Sequence, residues 1–438
     1  MSKKQLVKTD GHNQLDQPNT KALQLKKKQF NSGVRVTSEI SFLREVIAHH
    51  PGIETERVID NQTFGSAMYL ERAQKEHQLF IKILRQHGTK VHYLQDLLLE
   101  ALSAADPNVR QDFIKNFLLE SGIKSVSTFE ACLNFFRSLD SLVDVIKVMF
   151  GGIKVSDVPP ITPQRFADIH VSNSPFLIKP LSFSLYPHKF FNTLGTGVAL
   201  FVTNDSELKR HSLVYEYIMR FHPRFDGVKL YTNRDFKNCL INSSDIIQIS
   251  NEILLIGISH DTDVLGIESL ARNLLSDHTN PIKQIIAINI HKFGAKTNLN
   301  KLIAMVDVDK FIIARKVLQA TEIFELTATA QRDVDGLAQI KFKPLKFNFG
   351  EIIEAIIDKQ PRFVIIGGGD EVAERKELLD CGMGVLNLSP GEIVVFDRNH
   401  YTNNLLNELG LIIHKIPASE LSRGPSGPLE MVCSLWRE

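Results

Sequence analysis

Short runs rich in valine and isoleucine recur along the 438-residue chain, and glycine, asparagine or proline residues separate them. Runs of this length and composition are typical of buried β-strands. Helical patterns fall between several of them, as in Glu268–Leu275 and Thr402–Leu409. Because alternating strands and helices form sheets covered by helices, the chain is predicted to have an α/β fold, and the residues alone favour a doubly wound sheet. The predicted strands are Glu45–Ala48, Lys90–Tyr93, Val198–Thr203, Asp245–Ser250, Glu252–Ser259, Gln284–Asn289, Leu302–Ala314, Phe363–Gly367, Gly391–Asp397 and Leu411–Ile416.

Residues 70–150 have a different character, because apolar residues recur there mainly at helical spacing. The dipeptide Asp106-Pro107 predicts the start of a helix, and Gly122 predicts its end. The stretch Ser127–Glu130 has the spacing of a capping box before another helix. A further helix is predicted over Asp140–Phe150. We therefore expect an inserted helical domain between the α/β segments.

The N-terminal extension, residues 1–33, contains seven lysines, two aspartates and few large apolar residues. Such a segment cannot bury enough apolar surface to offset the entropy of ordering, so we predict that it is disordered. It has no apolar core of the length that a secretory signal needs. A solvated extension is one interpretation, and a weak electrostatic contact with a membrane or RNA is the other.

The overall composition argues against several classes of partner. The net charge of +1 gives no indication of nucleic-acid binding, and no apolar run is long enough to span a membrane. The cysteines stand without paired spacing, so neither a disulfide framework nor a zinc site is predicted, and no cofactor is expected. We predict a reduced, cytoplasmic protein. The cysteines are Cys132, Cys239, Cys381 and Cys433.

The C-terminal segment contains the most informative motif. It reads Arg423-Gly424-Pro425-Ser426-Gly427-Pro428-Leu429-Glu430-Met431. This resembles the closing segment of the arginine deiminases, in which a Gly-Pro-x-Cys-Met turn presents the thiolate that attacks the guanidinium carbon. Here Glu430 stands at the position of that cysteine. A carboxylate cannot replace a thiolate in this addition at neutral pH.

The resemblance extends over residues 34–438 and rests on many short motifs in the same order. They include Ser38-Glu39-Ile40, His49-x-Pro51-Gly52, Tyr69-Leu70-Glu71, Leu194-Gly195-x-Gly197-Val198, His222-Pro223-Arg224-Phe225, Gly257-Ile258-Ser259, Ala271-Arg272-Asn273-Leu274, Met305-Val306-Asp307, Gly367-Gly368-Gly369-Asp370 and Asp397-Arg398-Asn399.

The resemblance implies a fold and a reaction. The family fold is a pseudo-fivefold α/β propeller of ββαβ modules with an inserted α-helical bundle and a central active site. Residues 34–69 and 151–438 would form the propeller, and residues 70–150 the inserted domain. The family reaction converts L-arginine and water to L-citrulline and ammonia without a cofactor. The family also forms dimers or larger oligomers, so a homo-oligomer is expected.

The catalytic positions of the family are substituted in this chain. The aspartate that binds the guanidinium aligns with Lys189, which reverses its charge. The glutamate of a Glu-Gly-Gly-Asp motif is Asn242. The His-x-Asp pair is Asn298 and Asn300, two amides that cannot transfer protons as acids or bases. With Glu430 at the nucleophile position, no family catalytic group that we can align is intact.

The substrate-binding positions are also changed. Asp245 is retained from the Glu-Gly-Gly-Asp motif, and Arg210 matches the second arginine of an Arg-x-Arg-Glu-Thr motif. Because the other aligned positions are substituted, we predict that arginine binds poorly. The substituted positions are Phe183, Leu208, Asp261 and Pro425.

These substitutions predict a pseudoenzyme with a binding or assembly role, and a hetero-oligomer with an active relative is one form that such an assembly could take. Two alternatives stay open: an enzyme or binder that acts on another ligand in a rewired pocket, and residual arginine deiminase activity.

Two expectations concern single residues. Lys189 could pair with Glu430 and fill the pocket from within. Cys433, three residues beyond Glu430, is expected to be a structural residue and not a displaced nucleophile.

Overall fold

The computed structural model describes residues 33–58, 67–163, 165–169, 174–232, 234, 239–295, 297–320, 322–424 and 426–438. The predicted disorder of the N-terminal extension therefore concerns residues that, except for Gly33, lie outside the described part. Pro425 lies outside it as well. The helices are α1 Ile53–Glu56, α2 Leu70–Gln86, α3 Leu94–Ala104, α4 Pro107–Glu120, α5 Val126–Arg137, α6 Leu142–Gly151, α7 Ser206–Phe221, α8 Val264–Ser276, α9 Phe349–Ile357, α10 Glu371–Leu379 and α11 His400–Glu408.

The strands alternate with these helices, which confirms the predicted α/β class. They are β1 Leu43–Ala48, β2 Lys90–Tyr93, β3 Ile153–Lys154, β4 Phe176–Ile178, β5 Phe191–Leu194, β6 Gly197–Leu200, β7 Ile246–Gln248, β8 Ile253–Ile258, β9 Gln284–Asn289, β10 Ile303–Met305, β11 Lys310–Ile313, β12 Ile323–Arg332, β13 Ala338–Leu345, β14 Arg362–Ile365, β15 Leu386–Ser389, β16 Glu392–Phe396, β17 Ile412–Ile416 and β18 Val432–Arg437.

The strands form several small sheets, so the doubly wound sheet that the residues alone favoured is wrong. The sheets have the orders β18-β1-β2, β10-β11-β14, β13-β12-β9-β8-β7 and β15-β16-β17, with two-stranded pairs β3-β4 and β5-β6. Each of the larger sheets contains an antiparallel strand pair. A doubly wound fold instead has one continuous, mostly parallel sheet.

One strand pattern repeats along the chain. An antiparallel pair is followed by a helix and then by a strand parallel to the second member of the pair, as in β7-β8-α8-β9. The same pattern occurs in β10-β11-α9-β14, in β15-β16-α11-β17 and, across the chain ends, in β18-β1-α2-β2. The pair β5-β6 precedes α7 and meets Leu230 through a parallel bridge from Val198. Each repeat is therefore a ββαβ unit.

Residues 70–150 contain more than helices. Helix α2 and strand β2 belong to the first ββαβ unit, because β2 pairs with β1. Helices α3 to α6 follow and pack with α7 and the β5-β6 pair in one apolar cluster. The domain division remains a prediction. Among the described residues, no helix has both the length and the apolar character needed to cross a membrane.

The predicted helix ends are partly correct. Asp106 accepts a hydrogen bond from the Asn108 amide and caps α4, as the Asp-Pro dipeptide indicates. The capping box at Ser127–Glu130 is wrong, because Ser125 caps α5 through the Thr128 amide at 3.1 Å. The hydroxyl of Ser127 instead donates to Asp168 at 2.8 Å. The local pattern assigned the Ser127 side chain to the helix cap, but in the structure this side chain binds Asp168, which is distant in sequence.

Candidate functional site

Five segments that immediately precede the first strand of a ββαβ unit meet at one place. They are the turns Pro187–Lys189, Ser243–Asp245 and Leu299–Lys301, the segment 381–385 before β15 and the segment 426–431 before β18. Hydrogen bonds and close contacts join them in a ring. The His188 amide donates to the Glu430 carbonyl at 3.3 Å, and the Leu429 amide donates to the Gly384 carbonyl at 3.0 Å. The predicted catalytic positions therefore converge.

Glu430 lies at the centre of this ring and is 4% exposed. Its Oε1 accepts a hydrogen bond from Asn300 Nδ2 at 2.7 Å, and its Oε2 accepts one from the Gly427 amide at 3.2 Å. A Cβ at Gly384 would approach Oε2 to 3.1 Å, so a glycine at that position leaves room for the carboxylate. Both carboxylate oxygens are thus held by the protein itself.

Asp245, which the sequence predicts to be a retained substrate-binding residue, has a completely buried carboxylate. Ser259 Oγ and Thr262 Oγ1 donate to its Oδ2 at 2.7 Å, and the Leu299 amide donates to its Oδ1 at 2.8 Å. Asn298 Nδ2 adds a fourth contact at 3.3 Å. Burial raises the pKa of Asp245 to about 6, although these hydrogen bonds oppose the rise. The Asp245 carboxylate therefore connects its own turn to the turn Leu299–Lys301 of the neighbouring unit by a hydrogen bond.

Lys189 is half-buried at the same place, and its ammonium lies 5.8 Å from the ring centres of both Phe183 and Tyr186. The expected ion pair with Glu430 is not formed, because no acidic oxygen of the described residues lies within 4.0 Å of Lys189 Nζ. Glu430 instead uses Asn300 Nδ2 and a backbone amide. Loss of hydration lowers the pKa of Lys189; Glu430 opposes this effect, and Lys301 adds to it.

The remaining amide positions are structural as well as central. Asn242 Oδ1 accepts from the Ser244 amide at 2.9 Å and caps the turn that carries Asp245. Its Nδ2 lies 3.4 Å from Asp261 Oδ2, which is exposed. The amides Asn298 and Asn300 each donate to a carboxylate of the site. None of these amide side chains ionises near neutral pH, so none can act as a general acid or base.

Two of the aligned substrate-binding positions lie away from the ring. Leu208 packs against the apolar cluster of the helical segment. Arg210 is 2% exposed, donates to the Lys179 carbonyl at 2.7 Å and lies over the Phe117 ring. Phe183 is at the site, where it contacts Lys189. The predicted change at Pro425 falls outside the described residues.

Two thiols differ in their relation to the site. Cys433 is 1% exposed and donates to the Phe191 carbonyl at 3.2 Å, within the core. Burial raises its pKa well above the usual range, as fits a structural residue. Cys381 lies at the site instead, because Glu430, Lys301 and Lys189 all act on it electrostatically. Burial first, and then Glu430, raise the pKa of Cys381 to about 12, so it is a neutral thiol.

Sequence reasoning missed Cys381 and Lys301 as site residues. The available signal was their position, since each belongs to a segment that immediately precedes the first strand of a ββαβ unit. His188 belongs to another such turn, but its ring faces Asn192, and burial lowers its pKa to about 4. Within the described ranges, no three histidine, cysteine, aspartate or glutamate side chains could hold a metal ion.

The groups at this site differ from those that guanidinium hydrolysis uses. That reaction needs a thiolate, a proton donor that becomes a base, and carboxylates free to bind the planar cation. The thiol at the site is protonated, amides stand at the two positions predicted to align with the acid–base pair, and the carboxylates accept hydrogen bonds from protein donors. The described residues bring no imidazole into contact with the thiol of Cys381.

Comparisons with known proteins agree on a family. The arginine deiminase family model matches residues 60–437. An arginine deiminase of Clostridium perfringens is 33% identical over 411 residues, which cover 92% of this chain and 98% of that protein. One from Treponema denticola is 31% identical over 415 residues, with the same coverage.

Among solved structures, an amidinotransferase of Microseira wollei from the saxitoxin biosynthetic pathway superposes with a TM-score of 0.52 and 14% identity, covering 93% of this chain and 98% of the other. At this identity the likeness concerns the fold alone.

Proposed function

The chain belongs to the arginine deiminase family, and we propose that it keeps the fold of that family but does not hydrolyse arginine. The matched regions cover 92% of this chain and 98% of each of these two relatives. The present role of the protein is then binding or assembly.

The observation that carries this proposal is the environment of Glu430. Its carboxylate is predicted to align with the family's nucleophile, and Asn300 Nδ2 and the Gly427 amide each donate to one of its oxygens. Cys381 offers no replacement, because its thiol is neutral at physiological pH and only a thiolate attacks efficiently. The covalent step therefore has no nucleophile.

Substrate binding is expected to fail for a separate reason. Lys189 introduces a positive charge where a guanidinium would lie, and the carboxylate of Asp245 is already occupied by four donors. Micromolar binding of arginine needs about 8 kcal/mol. Losing one buried ion pair and adding one like-charge contact removes several kcal/mol, on the order of that whole amount.

We also propose that the repeated ββαβ units surround a pseudo-fivefold axis as a propeller, and that the inserted helices within residues 70–150 are α3 to α6, because α2 and β2 belong to the first unit. Five structurally equivalent turns that meet around Glu430 support this arrangement.

The protein is further proposed to be cytoplasmic and to form a homo-oligomer or an assembly with an active relative. A second candidate function is binding of a different small molecule, and Lys189 favours it because the site now holds a cation of its own.

Citrulline production by the purified protein tests the proposal. We expect no citrulline above the blank from the wild-type protein or from Glu430→Cys, because the variant regains a thiol but still lacks a proton-transfer pair and keeps Lys189. The Clostridium perfringens arginine deiminase, assayed in parallel, provides the positive control. Citrulline formed by the wild-type protein would overturn the proposal, whereas citrulline formed only by Glu430→Cys would mean that the thiol alone was missing.

A further inference from the structure

We propose that the free edge of strand β13 binds an extended segment of another protein in which apolar and acidic residues alternate. None of the residues that form this surface belongs to the five segments around Glu430, so the inference does not depend on whether the chain hydrolyses arginine. Three features of the described residues carry it: an open strand edge, an apolar groove on one face of the strand, and lysines without acidic partners on the other face.

The first feature is the open edge. Strand β13 lies at one end of the five-stranded sheet and pairs with β12 alone among the described strands. Alternate N–H and C=O groups of such a strand face away from its neighbour and can pair with an added strand. Pro344 has no amide hydrogen, so the stretch that can pair ends before it. Residues 338–343 therefore offer an edge to which a short extended segment can add.

The second feature is an apolar groove of about 350 Å³ beside the edge. Residues of α8 and of strands β8, β9, β12 and β13 line it, and all of them are apolar except Glu268. Ile340 and Phe342 line it from β13, and Phe342 is 68% exposed. Side chains of an added strand that point to this face would pack beside Ile340 and Phe342. The partner residues on this face are therefore expected to be apolar.

The third feature is the charge on the opposite face of the strand. Lys341 and Lys343 alternate with the groove residues and so point away from the groove. Both are exposed, and no acidic oxygen of the described residues lies within 4.0 Å of either ammonium. An added strand would place its own side chains directly opposite these lysines, where acidic residues are favoured.

The acidic residues nearest in the fold have other partners. Glu325 is the one acidic residue of β12 and β13, and it stands opposite Lys343. Its Oε1 accepts a hydrogen bond from Gln284 Nε2 at 2.6 Å. In the turn between the two strands, Asp333 pairs with Arg272 of α8. The two lysines of β13 therefore keep their charge for a partner.

The same charges argue against a second copy of this chain as the partner. Antiparallel pairing of two β13 edges would bring lysines of both copies together on one face, and like charges opposite each other destabilise a strand pair. Lysine and proline on an edge strand also protect it from self-association. The edge is thus closed to itself and open to an acidic segment.

Fluorescence anisotropy with labelled six-residue peptides tests the inference on the full-length protein. We expect a peptide of alternating glutamate and valine to bind at least about tenfold more tightly than one of alternating lysine and valine, because only the first matches the charge of the lysines. A peptide of alternating glutamate and serine should also bind more weakly, because it leaves the groove unfilled.

The double variant Lys341→Glu/Lys343→Glu should reverse the preference, so that the lysine–valine peptide binds more tightly. The matched control is Lys82→Glu/Lys115→Glu, which makes the same change of charge at exposed lysines of α2 and α4 and should keep the wild-type preference. Equal affinity of the wild-type protein for the two valine peptides, or an unchanged preference in Lys341→Glu/Lys343→Glu, would overturn the inference.

Hydrogen exchange of the wild-type protein locates the peptide without any variant. The glutamate–valine peptide should slow exchange within residues 338–343 and leave β7, at the other end of the same sheet, unchanged. Protection confined to other residues would contradict the proposed edge. Self-association of the wild-type protein through residues 338–343 would contradict it as well, because the occupant would then be a second copy. Citrulline formation bears on the proposed function alone, so the two failures are distinguishable.

Discussion

At the scale of single residues, a buried carboxylate carries a cost that the fold must offset. Asp245 has no contact with solvent, and its hydrogen bonds do not fully compensate for lost hydration, so its pKa rises to about 6. In the unfolded chain the same group titrates near 3.8. Between these values the folded state binds more protons than the unfolded state. The contribution of Asp245 to stability therefore falls as the pH rises through this range.

Asp245→Asn should remove this pH dependence. The full effect of a shift from 3.8 to about 6 is about 3 kcal/mol. Most of it, about 2 kcal/mol, falls between pH 4 and pH 7, so the free energy of unfolding of the wild-type protein, relative to the variant, should decrease by that amount over this range. Urea unfolding at several pH values measures the difference. Asp335→Asn, at an exposed position, is the control and should leave the profile unchanged. A relative stability that increases with pH would contradict the sign of the shift.

At the scale of elements, helix α2 holds the segment that leads to the site. Glu76, 5% exposed on this helix, accepts hydrogen bonds from the backbone amides of Ser419, Glu420 and Leu421 at 3.0 to 3.2 Å. The Ser419 hydroxyl adds another at 2.6 Å. A single carboxylate thus satisfies a row of amides ten residues before Glu430. This contact couples the first ββαβ unit to the C-terminal segment.

Glu76→Ala should lower the free energy of unfolding by about 3 to 5 kcal/mol, because it leaves several buried amides without an acceptor. Hydrogen exchange should become faster at Ser419, Glu420 and Leu421. The control is Glu71→Ala in the same helix, where an exposed carboxylate pairs with Lys75 and little change in the free energy of unfolding is expected. Similar effects for both variants would mean that Glu76 does not anchor the segment.

At the scale of the whole molecule, the two ends of the described chain pair with each other. Strand β18 lies antiparallel to β1, and its residues Cys433 and Leu435 are almost fully buried. Arg437, 1% exposed, donates to the Ser41 carbonyl at 2.8 Å. The last strand therefore completes the first ββαβ unit. The pairing that completes the unit joins residues nearly 400 positions apart in sequence.

Removal of residues 432–438 should abolish cooperative unfolding, because the truncated chain loses both a strand partner of β1 and the apolar residues that it buries. Circular dichroism melts monitored in the near-ultraviolet range measure this loss. As a control, two residues inserted after Val334, which is fully exposed in the β12-β13 turn, should cost less than about 1 kcal/mol. A native melt of the truncated protein would show that closure is not required.

The sequence correctly identified strands whose residues are apolar and buried. Gln284–Asn289 has the predicted bounds, because its central residues are isoleucine and alanine inside a sheet. The predicted strand Leu302–Ala314 is instead β10 and β11, which the exposed turn at Val308 separates. The hairpin β12-β13 was missed, because most of its outer residues are exposed and give no apolar run.

What the sequence by itself determined was the α/β class, the family and the chemical identity of the groups at its aligned positions, because these depend on local patterns and on motifs of adjacent residues. Tertiary structure alone decided which groups share the site and what each one binds. The fold places Cys381 and Lys301 near Glu430, and the Glu430 carboxylate accepts a hydrogen bond from Asn300 instead of pairing with Lys189. Such partners are selected by burial and distance between segments, which no local pattern encodes.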